Sequence, residues 1–308
     1  MLLTPMDVLS AFPVRKTKKQ KAAFREAAQS YLTGLGYSTQ VEKGALGSRN
    51  LVIGCPDQAR YLVTAHYDTP ARMFAPNFIT PTNFPVYLLY QLVLTAVIFG
   101  TGGILGWLAG RILNNSLAGA YIGVVVCWLL LILLMAGPAN PRNANDNTSG
   151  VVTVLETAKA LPEQPRDQVC FVLFDLEELG MIGSSSYRKA HKEQTKNQIV
   201  LNLDCVGDGD ELVIFPTKKL KKQEDVMERL RSCTGSRGDK NLILHEKGFA
   251  FYPSDQSQFP LGCGIAAFHK NRWLGLWLAR IHTAKDTVLE EENVTILRDL
   301  ILTLISAR

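Results

Sequence analysis

The order of apolar and polar positions divides this chain into two kinds of segment. Along most of its length, short apolar runs alternate with amphipathic stretches, a pattern typical of buried strands followed by helices. One part differs, because from Met73 to Pro141 the only charged side chain is Arg111. The pattern therefore predicts a globular protein that carries an apolar insert.

The globular part is predicted to be an α/β fold. Continuous apolar strands that alternate with helices are typical of a largely parallel sheet covered on both faces. We therefore expect a three-layer sandwich with a mixed, largely parallel central sheet. The predicted strands are 51–54, 60–65, 168–174, 198–203, 211–215 and 264–268, and the predicted helices are 17–34, 149–161, 178–191, 223–233 and 291–307.

The insert is predicted to be a transmembrane hairpin with spans at about 85–110 and 117–136. Twenty helical residues reach about 30 Å, the thickness of the hydrocarbon core of a bilayer. Gly102, Gly106 and Gly110 recur at every fourth position, which would let the second helix approach closely. The alternatives are two helices buried in a soluble core and a partly embedded hairpin.

The insert implies a discontinuous domain, with residues 1–72 and 138–308 forming one unit and residues 73–137 inserted between them. The first 72 residues show no signal-peptide pattern and carry ten Lys/Arg against five Asp/Glu, and such a basic leader resists translocation. We therefore expect an integral membrane protein whose globular domain lies on the cytoplasmic face.

The composition limits the classes of partner that we expect. The chain has 308 residues, a net charge of +5 and six cysteines without a C-x-x-C pair, so reduced thiols are expected. It has neither a basic patch interleaved with aromatic residues nor a glycine-rich phosphate loop, and we therefore expect no nucleic-acid partner. The positive charge favours an anionic lipid leaflet.

Polar side chains able to bind metal follow three of the predicted strands. His66 and Asp68 follow the strand at 60–65, and Asp204 follows the strand at 198–203. In open α/β sheets, ligands gather beyond the carboxyl ends of the strands. Each residue alone also has an ordinary explanation, such as a helix cap or a satisfied core histidine. The candidates in chain order are His66, Asp68, Asp146, Asp175, Glu177, Glu178, Asp204 and His282.

Two histidines with several carboxylates and no thiolate suit zinc or a similar divalent ion used in catalysis. The ordered set of motifs also closely resembles one family, the co-catalytic zinc aminopeptidases, whose relatives include glutaminyl cyclases, glutamate carboxypeptidases and the transferrin receptor. The resemblance covers essentially the whole chain outside the hairpin. The motifs are "HYD", "NDNTSG", "FDLEELGMIGSSSY", "NLDCVG" and "HTAKDT".

The resemblance implies two metal ions, zinc by family, with cobalt or manganese conceivable. It implies that His66 and Asp204 bind one ion and that Glu178 and His282 bind the other. Asp146 would bridge the two ions.

The same resemblance assigns roles around the metals. Glu177 would be the general base, and Asp68 would orient His66. The peptide bond after Asp146 would be cis. In "YPSDQSQF" the family often has Ser-Asp-His, whereas this chain has Gln256 at the histidine position, and Asp255 is a candidate for substrate contact.

The position of the insert adds a hypothesis. The hairpin lies between His66 and Asp146, where soluble relatives have a short loop, so the site should face the bilayer surface. Its two arms, 73–84 and 138–145, would then form part of the substrate rim.

The sequence therefore predicts a membrane-anchored dinuclear zinc aminopeptidase that hydrolyses N-terminal residues of peptides. One alternative is carboxypeptidase or glutaminyl cyclase chemistry on the same fold. The other is a catalytically inactive binding or scaffold protein, against which the complete ligand set argues. The oligomeric state is not predicted.

Overall fold

The computed structural model describes residues 2, 4–164 and 166–306. Ten strands within them form one sheet, in the order β1-β2-β4-β3-β5-β9-β6-β8-β7, and β10 pairs with β9. The strands are β1 (Thr39–Lys43), β2 (Arg49–Ile53), β3 (Tyr61–His66), β4 (Val169–Phe174), β5 (Ile199–Leu203), β6 (Glu211–Pro216), β7 (Gly235–Arg237), β8 (Lys240–Leu244), β9 (Gly262–Asn271) and β10 (Gly275–Trp277).

The described residues also form eight α-helices. The end of the last predicted helix, Ala307, lies outside the described residues. The helices are α1 (Asp7–Ala11), α2 (Lys18–Gly34), α3 (Phe84–Ile112), α4 (Ser116–Ala136), α5 (Gly150–Ala160), α6 (Ile182–Ala190), α7 (Glu224–Cys233) and α8 (Glu291–Ser306).

The centre of the sheet is parallel. Strand β3 pairs in parallel with β4 on one side and with β5 on the other, and β5 pairs in parallel with β9. Every residue of β3, β4 and β5 is buried, which explains their continuous apolar sequences. Antiparallel pairs lie at both flanks, between β1, β2 and β4 and between β9 and β6. The predicted mixed sheet with a parallel core is confirmed.

Helices cover both faces of this sheet. The larger core joins α2, α5, α7 and α8 to one face, where Phe24 of α2 and Leu297 of α8 are fully buried with Val63 of β3. On the opposite face, Tyr187 of α6 packs with Leu62 of β3 and other buried strand residues. The chain therefore has the predicted three-layer α/β sandwich.

Four strands were not predicted, and three of them lack a run of apolar residues. Strand β1 has the sequence TQVEK, with Val41 as its single hydrophobic residue, and it lies at the edge of the sheet. Strand β7 is fully exposed and, like β10, has only three residues. Strand β8 forms a hairpin with β7 and is the exception, because its sequence KNLIL ends in three apolar residues. Short strands at the edge need little burial, so the sequences of the other three resemble those of loops.

The helix predicted from Glu178 begins later, at Ile182. Leu176 and Met181 have φ values of 60° and 59°, in the left-handed region that interrupts a right-handed helix. The backbone N–H of Met181 donates to the carbonyl of Glu177 at 2.8 Å, so the intervening residues form a turn. This turn, rather than a helix, carries the two glutamates.

Helices α3 and α4 form a hairpin that lies mostly outside the core. They are long and apolar enough to cross a membrane, and only 17% and 11% of their most apolar windows are buried. Asn83 caps the start of α3 and Asn115 caps the start of α4 through their side-chain oxygens. Both helices begin one residue earlier than predicted, and α3 ends two residues later.

The two helices meet along glycines, as the sequence predicts. A Cβ added at Gly119 would lie 2.4 Å from the carbonyl oxygen of Gly106 and 2.6 Å from the Cα of Gly110. A Cβ added at Gly102 would likewise meet the carbonyl oxygen of Gly123 at 2.8 Å. The helix backbones are therefore in direct contact, the arrangement that small residues allow within a bilayer.

Replacing one of these glycines tests the contact. We expect Gly119→Ala to destabilise the hairpin by about 1–3 kcal/mol, because the added methyl group would overlap backbone that cannot move away. Gly103→Ala is the matched control, since its Cβ would meet nothing within 4 Å. Thermal unfolding of both variants in detergent, followed by circular dichroism, measures the difference. Equal melting temperatures would contradict the packing.

Candidate metal-binding site

The candidate site lies at the carboxyl ends of the three central strands. His66 is the last residue of β3, and Asp204 directly follows β5. The turn after β4 carries Glu177 and Glu178. Because β3 lies between β4 and β5 in the sheet, the three strand ends are neighbours. This explains why residues far apart in sequence meet.

Two groups of side chains meet at this edge. In the first, His66 Nε2 lies 3.3 Å from Asp146 Oδ1 and 3.5 Å from Asp204 Oδ1. In the second, His282 Nε2 lies 2.9 Å from Asp146 Oδ2 and 3.6 Å from Glu178 Oε2. The ligand atoms within each group lie within 4.8 Å of one another. Asp146 therefore directs one oxygen to each group.

Unpaired oxygens show that the two groups fit cations. Asp146 Oδ1, Glu178 Oε1 and Asp204 Oδ1 are buried without a hydrogen-bond partner among the described residues. Buried carboxylate oxygens are costly unless they are paired or coordinate a metal. Each group supplies one imidazole and carboxylate oxygens, the donor set of a catalytic zinc site. The residues present therefore suit two divalent cations.

Asp68 connects His66 to the glutamate turn. Its Oδ1 accepts from the backbone N–H of Glu177 at 3.1 Å, and its Oδ2 accepts from that of Glu178 at 3.3 Å. The same carboxylate lies 3.6 Å from His66 Nδ1. One buried side chain thus fixes the relative positions of the imidazole and both glutamates. The resemblance implied only its contact with His66.

Sequence reasoning missed Asp286, which holds the loop that carries Asp146. Asp286 accepts hydrogen bonds from the backbone N–H groups of Asn145 at 2.6 Å and Asp146 at 3.1 Å. The side chain of Asn143 donates to it at 3.1 Å. Asp286 lies within the quoted "HTAKDT" motif, four residues after His282, but nothing in the sequence shows which loop it contacts.

The backbone around Asp146 matches the expectation from the resemblance, because the Asp146–Asn147 peptide bond is cis. Asn147 connects this loop to β5: its side-chain nitrogen donates to the carbonyl of Leu203 at 2.9 Å, and its side-chain oxygen accepts from the backbone N–H of Cys205 at 3.2 Å. The loop with Asp146 is therefore fixed to the strand that precedes Asp204.

Two other residues named from sequence lie elsewhere. Asp175 pairs with Lys21 at 2.6 Å and belongs to neither group. Gln256, at the family's histidine position, is buried, where it accepts from Asn202 at 3.1 Å and donates to the carbonyl of Tyr252 at 2.7 Å. The glutamine therefore joins the loop to β5.

Asp255 is fully buried beside the site. Neither of its carboxylate oxygens has a hydrogen-bond partner among the described residues. Burial, opposed by His66 and reinforced by nearby Asp204, raises the pKa of Asp255 to about 7. This carboxylate can therefore bind and release a proton close to neutral pH.

Without cations, the site binds protons more strongly than the same side chains do in water. Burial and the neighbouring carboxylates raise the pKa of Glu177 and of Glu178 well above the ordinary value. Burial lowers the pKa of His66, but the close approach of Asp146, Asp204 and Asp68 outweighs this effect and raises it. Burial beside Asp146 raises the pKa of Asp286 to about 7.

These shifts predict how the stability of metal-free protein depends on pH. Every raised folded-state pKa exceeds its unfolded value, so the folded chain binds more protons, and this stability is lost as pH rises. We expect the melting temperature of chelator-treated protein to fall between about pH 5 and 8. Excess zinc should abolish or reverse the trend, because zinc requires deprotonated ligands. A metal-free melting temperature that rises over this range would contradict the shifts.

Comparison with known proteins agrees with the fold. Residues 134–304, more than half of the chain, match the model of peptidase family M28. The chain belongs to peptidase family M28. It is therefore a member of a family of zinc peptidases, as the motifs predict.

Individual proteins are similar to this chain over different shares of its length. It is 42% identical to aminopeptidase YwaD of Bacillus subtilis (strain 168) over 128 residues, which are 36% of this chain and 28% of that protein. The Legionella pneumophila LapA aminopeptidase structure is 16% identical with a TM-score of 0.58, covering 98% of this chain and 67% of that one. The Porphyromonas gingivalis glutaminyl cyclase structure is 15% identical with a TM-score of 0.60, covering 96% and 92%. These structures share the fold.

Proposed function

We propose that this chain is a membrane-anchored aminopeptidase that uses two zinc ions to hydrolyse N-terminal residues of peptides. The observation that carries the proposal is the position of Asp146, whose two oxygens lie 3.3 Å from His66 Nε2 and 2.9 Å from His282 Nε2. One carboxylate shared by two separate donor groups is what a pair of neighbouring cations requires.

In this proposal each group would hold one ion. His66 and Asp204 would bind the first, His282 and Glu178 would bind the second, and Asp146 would serve both. Two bound zinc ions would polarise the scissile carbonyl and lower the pKa of a water molecule toward neutrality. Asp286 keeps the loop that carries Asp146 in place through backbone contacts, so it would support the site as a positioning residue.

Glu177 is the proposed general base. Its carboxylate lies close to the His66 imidazole and the Glu178 carboxylate, yet it belongs to neither group that includes Asp146. A free carboxylate beside the ions can take the proton of the attacking water and pass it to the departing amine.

The hairpin is the proposed anchor, inserted into one discontinuous peptidase domain made of residues 1–72 and 138–308. The two ends of the hairpin, which we call its roots, leave the globular domain side by side. The backbone N–H of Arg72 donates to the carbonyl of Pro138 at 2.8 Å. The basic N-terminal segment favours the cytoplasmic face. Protease protection of the globular domain in intact cells tests this orientation; digestion by external protease would refute it.

The hairpin also borders the site, which supports a role in the substrate rim. The backbone N–H of Met73, at its first root, donates to the carbonyl of His282 at 2.7 Å. A cavity of about 210 Å³ beside Glu178 is lined by Met135 and Ala136 at the end of α4, together with Lys16. Attachment to the membrane would therefore limit which peptides reach the ions.

A substrate panel tests the proposed reaction. Zinc-loaded full-length protein should release the chromogenic amine from aminoacyl substrates with a free N-terminus, and N-acetylated substrates should stay intact. Because the glutaminyl cyclase structures share the fold, a peptide with N-terminal glutamine belongs in the panel. Cyclisation without hydrolysis would establish the cyclase alternative, and carboxy-terminal cleavage the carboxypeptidase one. Inactivity of metal-loaded protein on every substrate would favour the inactive scaffold.

A further inference from the structure

Four aromatic side chains are exposed around the start of α3, and three of them lie on the globular domain. We call Phe84, Phe249, Phe251 and Trp273 the aromatic patch. Their exposed fractions are 41%, 56%, 40% and 74%. Single exposed apolar residues are common on soluble proteins, but a group of large aromatic rings in one place marks an interaction surface.

Direct contacts connect the patch to the first membrane helix. Phe84 is the first residue of α3, and its ring lies 5.4 Å from that of Phe249 and 6.3 Å from that of Phe251, measured between centroids. The N–H of Phe251 donates to the carbonyl of Pro81 at 2.8 Å. Loop 248–252 therefore lies at the level where α3 enters the apolar region.

The turn that carries Trp273 lies at the same level. The side chain of Asn83, which caps α3, donates to the carbonyl of Leu274 at 3.4 Å. Arg272 stacks over the ring of Trp273 at 4.7 Å, and Lys247 is exposed beside loop 248–252. Aromatic rings accompanied by Lys and Arg are typical of the layer between hydrocarbon and water, where the rings are buried and the charges meet lipid phosphates.

We propose that the aromatic patch lies in the headgroup layer of an anionic bilayer, as a second membrane contact beyond the hairpin. This inference rests on the proposed anchoring, since the hairpin sets the level of the bilayer. A contact on the globular domain fixes the tilt of that domain relative to the membrane, which a hairpin with two adjacent roots cannot do alone.

The orientation of the globular domain at the membrane points to a substrate class, because loop 248–252 carries part of the patch and contacts the candidate site. Tyr252 directly follows Phe251, and its hydroxyl donates to the carbonyl of Asp204 at 3.1 Å. Tyr252 therefore connects the proposed lipid contact directly to the backbone of a proposed ligand, so the site lies near the bilayer surface. The preferred substrates are therefore peptides whose N-termini lie on the membrane, rather than peptides free in solution.

Fluorescent labels test the contact in full-length protein in liposomes of phosphatidylcholine and phosphatidylglycerol. Cys55 and Cys127, the two cysteines that are not buried, are first replaced by serine. An environment-sensitive dye is then attached to Phe249→Cys or Trp273→Cys. Thr295→Cys on α8 is the control position, because it is exposed and α8 covers the opposite face of the sheet.

Lipids with a nitroxide near the headgroup should quench the dye at 249 and at 273 strongly and leave the dye at 295 unquenched. A label on Val125→Cys, in α4, should be quenched by a nitroxide deep in the acyl chain. Dyes at 249 and 273 that behave like the dye at 295, while the dye at 125 is quenched, would overturn the second contact and leave the anchor intact. An unquenched dye at 125 would overturn both.

A paired substrate assay tests the substrate class. We expect Phe249→Ser/Trp273→Ser to lose most of its activity toward a lipid-anchored peptide and to keep wild-type kcat/KM toward a soluble aminoacyl substrate. Phe249→Trp, which keeps an aromatic ring, should behave like wild type on both. Equal activity of the double variant and wild type on the anchored peptide would overturn the substrate class. Wild-type inactivity on both substrates would instead refute the proposed function.

Discussion

Glu177→Gln should lower hydrolysis by about 10²–10⁴-fold while both metal ions stay bound. Glutamine has nearly the same shape as glutamate but cannot accept the proton of the attacking water. The turn should persist, because Asp68 holds it through the backbone N–H groups of Glu177 and Glu178 rather than through their side chains. Steady-state rates on an aminoacyl substrate, together with elemental analysis of the same preparation, measure both effects.

The neighbouring glutamate provides the matched comparison. Glu178→Gln replaces a proposed ligand with a weaker one, so this variant should lose metal as well as activity. Restoring activity with excess zinc should succeed at least partly for Glu178→Gln and not at all for Glu177→Gln. Near-normal turnover by the Glu177 variant would show that another group is the base, and Asp255 would be the next candidate because it is buried with both oxygens unpaired.

Asp146→Ala should abolish the binding of both metal ions. Its two carboxylate oxygens serve both donor groups, so one substitution removes a ligand from each. Loss of a residue that merely supports a ligand already lowers metal affinity by about 10–100-fold, and loss of the bridge should exceed this. Elemental analysis after dialysis against a weak chelator, with activity measured in parallel, gives the result.

The fold should survive this substitution, because Asp286 binds the backbone of the loop and not the side chain of Asp146. His282→Ala is the informative companion, since it removes a donor from one group only and should leave one ion bound to His66, Asp204 and the bridge. Asp239→Ala, on the exposed turn before β8, is the surface control. Two ions bound to Asp146→Ala would rule out the bridging role.

The sequence predicted those parts of the fold that depend on burial. Strands β3, β4 and β5 are buried along their whole length, so their apolar runs identify them. The polar residues that end these runs were recognisable as site residues because parallel strands bring their carboxyl ends to one edge. His66 and Asp204 lie at that edge, and Asp146 and His282 meet them there.

The parts of the fold and of the site that were not predicted depend on contacts that leave no pattern in the local sequence. Strand β1 is polar because it lies at an edge, and the turn that replaces the first part of α6 depends on left-handed residues that are not glycine. Asp286 acts through backbone groups 140 residues or more away, a pairing that only tertiary structure specifies. The aromatic patch likewise joins segments from distant parts of the chain.

X-ray absorption spectroscopy of zinc-loaded protein shows whether the five side chains hold two neighbouring cations. We expect two zinc ions per chain, nitrogen and oxygen ligands without sulfur, and a second zinc at roughly 3.5–4 Å. A single zinc per chain with no neighbouring metal, or a sulfur ligand, would contradict it.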